Sequence, residues 1–317
     1  MAISHHMQEL YGLPVLDFPA GDTSGEPAGG LPAAASVAWR ISVDSYDADE
    51  AWEEAFGRFA KAVDLGEVRA LVVGSWSDPY DSDPEDVVNA LVAISRQLPR
   101  LRALFLGDIT FDECEISWIN QGLVTPLLDA FPALHEFGVR GGQGLRFPAV
   151  RHERLRSLTI ETGGLDAEVV RSVAASDFPA LERLDLWLGT SWYGANAEIA
   201  DLAPVLAGSR LPRLRYLGLR NSQIQDEIAA ALAGAPVVAG LETLDLSMGT
   251  LGDDGVAALL AGQPLTHLKK LDLHHHFVGE AMRERLRATL GAAGVEVDLS
   301  DHQDEEDRED RYTAVAE

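Results

Sequence analysis

Residues 241–262 read LETLDLSMGTLGDDGVAALLAG. The stretch opens on a hexad with apolar side chains at Leu241, Leu244 and Leu246, the last two separated by a single polar residue. Alternation with period two sends one set of side chains to a buried face, so 244–246 reads as a short strand covered on one side. Small turn residues follow, and 255–261 then has its apolar positions at helical spacing. A unit this short cannot bury its apolar face alone; it needs copies of itself stacked on both sides.

The copies are present. The same pattern, apolar-x-x-apolar-x-apolar, recurs at 68–73, 101–106, 134–139, 155–160, 181–186, 214–219 and 268–273, with weaker versions at 38–43 and 292–297. Successive starts lie 21 to 33 residues apart, the spacing of leucine-rich repeats. Helical patterns fill the intervals at 51–63, 86–98, 116–131, 167–175, 199–207, 228–233, 255–261 and 280–290. The interval 140–153 is too short and too rich in glycine and proline for a full helix, which predicts an irregular crossover there. The fold class is therefore α/β: a curved leucine-rich-repeat solenoid of about ten repeats, with parallel strands on the concave face and helices on the convex face.

The turn and helix start of 241–262 resemble the ribonuclease-inhibitor type of leucine-rich repeat, through Leu251, Gly252, Asp253, Gly255, Val256, Ala258 and Leu259. The resemblance extends over 37–299. It departs from the type where an asparagine usually follows the strand: Ser222, Gly249 and His276 stand there. The whole chain is also similar to a group of uncharacterised bacterial cytoplasmic leucine-rich-repeat proteins, through GLPVLDFP at 12–19, LDLHHH at 271–276 and RYTAVAE at 311–317. That group has no assigned activity, so the resemblance implies no catalytic residues.

Three regions follow. Residues 1–35 form an N-terminal capping segment and linker, 10–18 covering the first repeat and 20–34 connecting; 36–300 form the repeat domain. Residues 301–317 form an acidic tail, expected to be mobile over 301–310 and to fold back near the last strand at 311–315.

Acids number 51 and bases 25, a net charge of −26. Such a chain lacks the net positive charge that releases counterions from nucleic acid, and it is repelled by anionic membranes. It suits a basic protein partner. Cys114 is the one cysteine, which excludes a disulfide framework or a multi-cysteine zinc module. The start has no basic run leading into an apolar stretch, and no apolar stretch reaches membrane-spanning length, which points to the cytoplasm.

Side chains at the third, fifth and seventh hexad positions point onto the concave face. In the first half these are small and apolar around Ala70, Val72, Ala103 and Phe105. The second half mixes aromatic rings with charge: Arg183, Asp185, Trp187, Tyr216, Arg220, Asp245, Lys270, Asp272 and His274. The loops leaving the strands share one rim, because the strands are parallel, and carry Trp76, Tyr80, Trp192 and Tyr193 among acids. Tryptophan, tyrosine and arginine dominate protein-binding hot spots. The expected function is a non-enzymatic protein-binding scaffold that uses this face and rim and needs no cofactor. Two alternatives accompany it. Asp245, Asp272, His274 and Asp298 could form a metal or acid–base site, or the chain could inhibit a basic enzyme. The acids at 78–86 miss the ligand order and glycine of a calcium loop. Cys114, between Glu113 and Glu115, is poorly placed to be a nucleophile. No nucleophile elbow, phosphate-binding glycine loop or paired-histidine zinc motif is present.

Overall fold

The computed structural model describes residues 2–21, 30–46, 48–304 and 310–316. Each hexad forms a strand: β3 (Ala38–Ile41), β4 (Ala70–Val73), β5 (Ala103–Leu106), β6 (Glu136–Arg140), β7 (Ser157–Glu161), β8 (Arg183–Gly189), β9 (Tyr216–Ser222), β10 (Thr243–Asp245), β11 (Lys270–Asp272) and β12 (Glu296–Asp298). Two strands precede them, β1 (Glu9–Leu10) and β2 (Leu13–Asp17). All twelve lie in one sheet in sequence order. The pairings from β2 to β12 are parallel, and β1 pairs antiparallel with β2.

Register carries the hydrophobic pattern directly into the core. Leu71, Leu104, Phe137, Leu158, Leu184, Leu217, Leu244 and Leu271 sit opposite one another on successive strands, and all are buried. Burying each such side chain stabilises by about 1.5–3 kcal/mol. The helices close the other side of this core: α1 (Trp52–Ala62), α2 (Glu85–Ala93), α3 (Thr125–Ala130), α4 (Ala167–Ala175), α5 (Ile199–Ala207), α6 (Gln225–Leu232), α7 (Asp253–Ala261) and α8 (Glu280–Thr289). The architecture is the leucine-rich-repeat solenoid. Neighbouring repeats also cap one another: the Asp226 carboxylate of α6 accepts from the N–H groups of Gly252 and Gly255 at the start of α7 (2.8 and 3.1 Å). No helix among the described residues is long and apolar enough to cross a membrane.

The single helix predicted at 116–131 is two pieces, a 3-10 turn at Ile116–Trp118 and α3. Between them Asn120 and Leu123 bridge to Gln143 and Arg146, so this backbone extends sideways to the next repeat. As expected, 140–153 contains no helix. The gap in the helical layer leaves an open cleft of about 1070 Å³ beside α4, lined by Leu123, Leu145, Phe147 and Tyr193 among others.

Both ends of the chain fold over the strands. Tyr11 and Gly12 have φ of 58° and 67°, the left-handed pair of a tight hairpin turn, and this turn sends residues 3–10 back across the concave side. The C-terminal residues 310–316 run from the last repeats towards the middle of the sheet, well past the last strand. Asn221 hydrogen-bonds Val315 and Ser117 donates to the Ala316 carbonyl. The expected linker at 20–34 and the expected mobile stretch at 301–310 fall in part on 22–29 and 305–309, outside the described residues; of the described part, His302 bridges to His276.

Candidate binding surface

The small apolar half of the concave face is not open. Met7, Leu10, Tyr11, Leu13 and Val15 pack onto Ala38, Ala70, Val72, Ala103 and Phe105, so Phe105 is buried and unavailable to a partner. Asp108 fastens this cover. Its fully buried carboxylate accepts from the Met7 N–H (3.1 Å to each oxygen). It also pairs with Arg40 (3.2 Å) and Arg140 (3.1 Å). Trp76 is likewise not a rim residue: it lies in the main core, its indole N–H donating to the Ser82 carbonyl.

The charged half is also largely committed to itself. Asp185, Asp245 and Asp272 are buried. Arg183 pairs with Asp185 (2.6 Å) and lies 3.4 Å over the Tyr216 ring. Tyr216 donates to Asp245 (2.6 Å), and Arg220 lies 3.3 Å from Asp245 and 3.5 Å from Asp185. Burial and then the charges of Asp185 and Asp245 push the Tyr216 hydroxyl far above its ordinary range, so it stays a donor. Trp187 lies under the C-terminal segment, in a cluster with Ile116, Met248, Ala314 and Val315. Its burial corrects its placement on an open face: the covering segment is more than a hundred residues away in sequence and invisible to strand periodicity.

At the C-terminal end, Asp272, His274 and Asp298 place ligand-type atoms within 4.8 Å of one another. Asp245 is not among them, because it serves Tyr216, Arg220 and the Ser247 hydroxyl. The Lys270 ammonium already neutralises the cluster, 2.9 Å from Asp272 and 3.5 Å from Asp298. The donor set therefore fits a satisfied ion network better than a cation site. Burial disfavours charge on Asp272, but hydrogen bonds from His274 and Lys270 outweigh it and hold the carboxyl well below its ordinary value. The same hydrogen bond (2.8 Å) raises His274. Cys114 is buried, and burial followed by Glu115 pushes its thiol up to about 11, so it is protonated at neutral pH.

What remains open is the rim. Tyr80 and Trp192 are exposed and Tyr193 half-buried. Trp118, absent from the sequence-based candidates because 116–131 read as one amphipathic helix, stands between them. Its ring lies 5.7 Å from Tyr80 and 6.3 Å from Tyr193. Asn120 locks the two loops, its N–H donating to the Pro79 carbonyl (2.8 Å) and its side chain to that of Tyr80. Trp192 is 91% exposed, although tryptophan is highly buried on average. Residues 75–86, 107–123 and 189–198 hold ten acids and no lysine or arginine.

No protein-family profile and no curated protein matches this sequence. Among solved structures, the fold is similar to a structural-genomics protein from Bacteroides fragilis, with a TM-score of 0.76 and 29% identity over 85% of this chain and 76% of that one. An internalin from Listeria monocytogenes matches with a TM-score of 0.39 and 16% identity, over 75% of this chain and 69% of that one.

Proposed function

We propose that the protein is a non-enzymatic binding scaffold that captures a basic protein on its rim. One observation carries this reading: the aromatic row of Tyr80, Trp118 and Tyr193, with Trp192 alongside, is set in loops that carry only negative charge. Exposed rings supply anchors at low entropic cost, and the acids steer and orient a cationic partner. The concave residues first expected to bind are mostly paired with one another or covered, so the binding task passes to the loops. The ribonuclease-inhibitor-type resemblance of the repeats is consistent with a protein ligand, and inhibition of a basic enzyme is one form this capture could take.

The test compares the full-length chain with a Tyr80→Ala, Trp118→Ala, Trp192→Ala variant as bait for bacterial lysate, at about 50 and about 300 mM salt. The expected partner has a basic isoelectric point, binds less at high salt and is lost from the variant. Capture of the same proteins by both baits would sink the reading.

A further inference from the structure

The last described residues of the chain lie in a groove that reads them as a ligand is read. Residues 311–316 form neither helix nor strand and bend at Ala314, and their main-chain groups are met chiefly by side chains. Asn221 does this twice: its carboxamide accepts from the Val315 N–H (3.0 Å) and donates to the Val315 carbonyl (2.5 Å). His275 donates to the Tyr312 carbonyl (3.1 Å), and the Ser117 hydroxyl to that of Ala316. One backbone bond is added, from the Ala314 N–H to the Met248 carbonyl (2.8 Å).

The groove is also shaped for a chain to pass. A Cβ on Gly163 would lie 2.5 Å from the Ala316 carbonyl oxygen, and one on Gly252 would meet the Arg311 guanidinium at 2.2 Å. Side-chain preferences are visible along it. Arg311 pairs with Asp226 (3.1 Å) and lies 5.8 Å from the Phe277 ring centre. Tyr312 stands edge-on to His275 and Phe277 while remaining 49% exposed. Ala314 and Val315 are buried against Trp187 and Met248, in a cluster separate from the main core. The Trp187 indole N–H in that cluster has no acceptor among the described residues.

Side chains that satisfy both main-chain groups of one residue, with pockets for its neighbours, can receive a peptide in the same way, main-chain hydrogen bonds giving affinity and pockets giving specificity. A strand of the sheet would instead be paired by backbone ladders. The connecting residues 301–310 contain seven acids and no apolar residue; among the described ones, the Gln303 side chain accepts from the Tyr312 hydroxyl.

We infer that this groove is a peptide-binding site occupied in cis by the chain's own C-terminus, which a partner protein's extended segment displaces. The segment it fits has a basic residue, then an aromatic one, and two small apolar residues one position further on, as at 311, 312, 314 and 315. This site is distinct from the aromatic rim, and neither reading needs the other. A tethered occupant acts at a local concentration in the millimolar range for a short linker, so a free peptide competes poorly until the tail is weakened.

The experiment uses the full-length chain and a full-length Ala314→Asp, Val315→Asp variant, with a fluorescently labelled peptide RYTAVAE as probe. The wild type is expected to leave micromolar probe unbound. The variant is expected to bind it saturably, one to one. Adding Asn221→Gly should weaken that binding at least tenfold; glycine accepts the left-handed φ of 52° at this position. A scrambled peptide that binds equally well overturns the inference. So does a variant that keeps the wild-type melt and ignores the probe at about 1 mM. A variant that loses its cooperative melt would make the segment an obligatory part of the fold and overturn it too. Hydrogen exchange on the unmodified chain decides independently. The Ala314 and Val315 amides should open well before global unfolding, and exchange only through global unfolding contradicts displacement. A wild-type dimer that the tail variant abolishes would replace the partner with a second copy.

Discussion

His276 shows how one residue type can do structural work that looks like chemistry. Strand alternation would put it on the same face as His274, but β11 ends at Asp272 and His275 takes a φ of 54°, and the His276 ring is fully buried. Its Nδ1 accepts from the Val278 N–H (3.0 Å), and Nε2 donates to the Leu299 carbonyl (3.3 Å). Burial, the largest influence, depresses its pKa to about 4. The folded state therefore keeps the ring neutral, while the unfolded chain binds a proton below about pH 6.5. Stability from this site is complete above about pH 6.5 and is lost as pH falls towards about 4, at up to about 1.4 kcal/mol per pH unit. His276→Asn should retain the turn through its carboxamide and lose the titration. Melting curves between about pH 7 and about pH 5 should fall more steeply for the wild type, and parallel curves would remove His276 as the cause. His274 has the opposite sign: its raised pKa contributes below the unfolded value and fades as pH rises. This inward placement was legible because the repeat register puts His276 at the asparagine-like position after the strand. His152 makes the same kind of turn, accepting from the Leu155 N–H (3.0 Å) and donating to the Phe131 carbonyl (3.2 Å), but it lies outside any hexad and gave no signal.

At the scale of elements, the strands and most helices follow from local pattern. α4 and α5 have the predicted bounds, 167–175 and 199–207. The pattern was insufficient where a distant segment decides what a face meets. Ala38, Ala70 and Ala103 are small and Val72 and Phe105 apolar because the N-terminal segment lies on them; read alone, the column passes for an open apolar surface. Trp187 and Asn221 were opaque for the same reason at the other terminus, and Asp108 because its partners come from residues 7, 40 and 140. Asp108 gives the sharpest element-scale expectation. Asp108→Asn keeps the shape and removes the charge between two largely buried arginines, but Arg40 keeps Asp17 and Arg140 keeps Glu161, so the expected cost is about 1–3 kcal/mol. Urea unfolding should register a loss of that order, and limited proteolysis should begin within residues 2–17. A variant with wild-type stability and an uncut N-terminus would show that Asp108 does not hold the cover.

At the scale of the whole molecule, a solenoid is a linear array in which each repeat is held mainly by its neighbours, so stability varies along it. The central strands β8 and β9 are seven residues long, whereas β10, β11 and β12 are three each. The first strands gain from the N-terminal cover. Among the described residues the last repeat shows no such cover: β12 has one exposed and two half-buried residues, and Leu286 is the buried side chain of α8. The C-terminal segment bypasses it, contacting Phe277 and His275 and then Asn221 and Ser117. Close to it, Ile3 joins the same apolar cluster as Ala314 and Val315, so both ends of the chain brace the middle of the array. Protection from hydrogen exchange should therefore peak across β7, β8 and β9 and decline through β10 and β11 to β12. Peptides from α8 and β12 should open sub-globally, roughly 100- to 1,000-fold faster than Leu184 and Leu217, as expected for a difference of about 3–4 kcal/mol between an end repeat and the centre. Uniform protection out to Asp298 would mean instead that the array unfolds as one unit and that the bracing of its centre carries no energetic consequence.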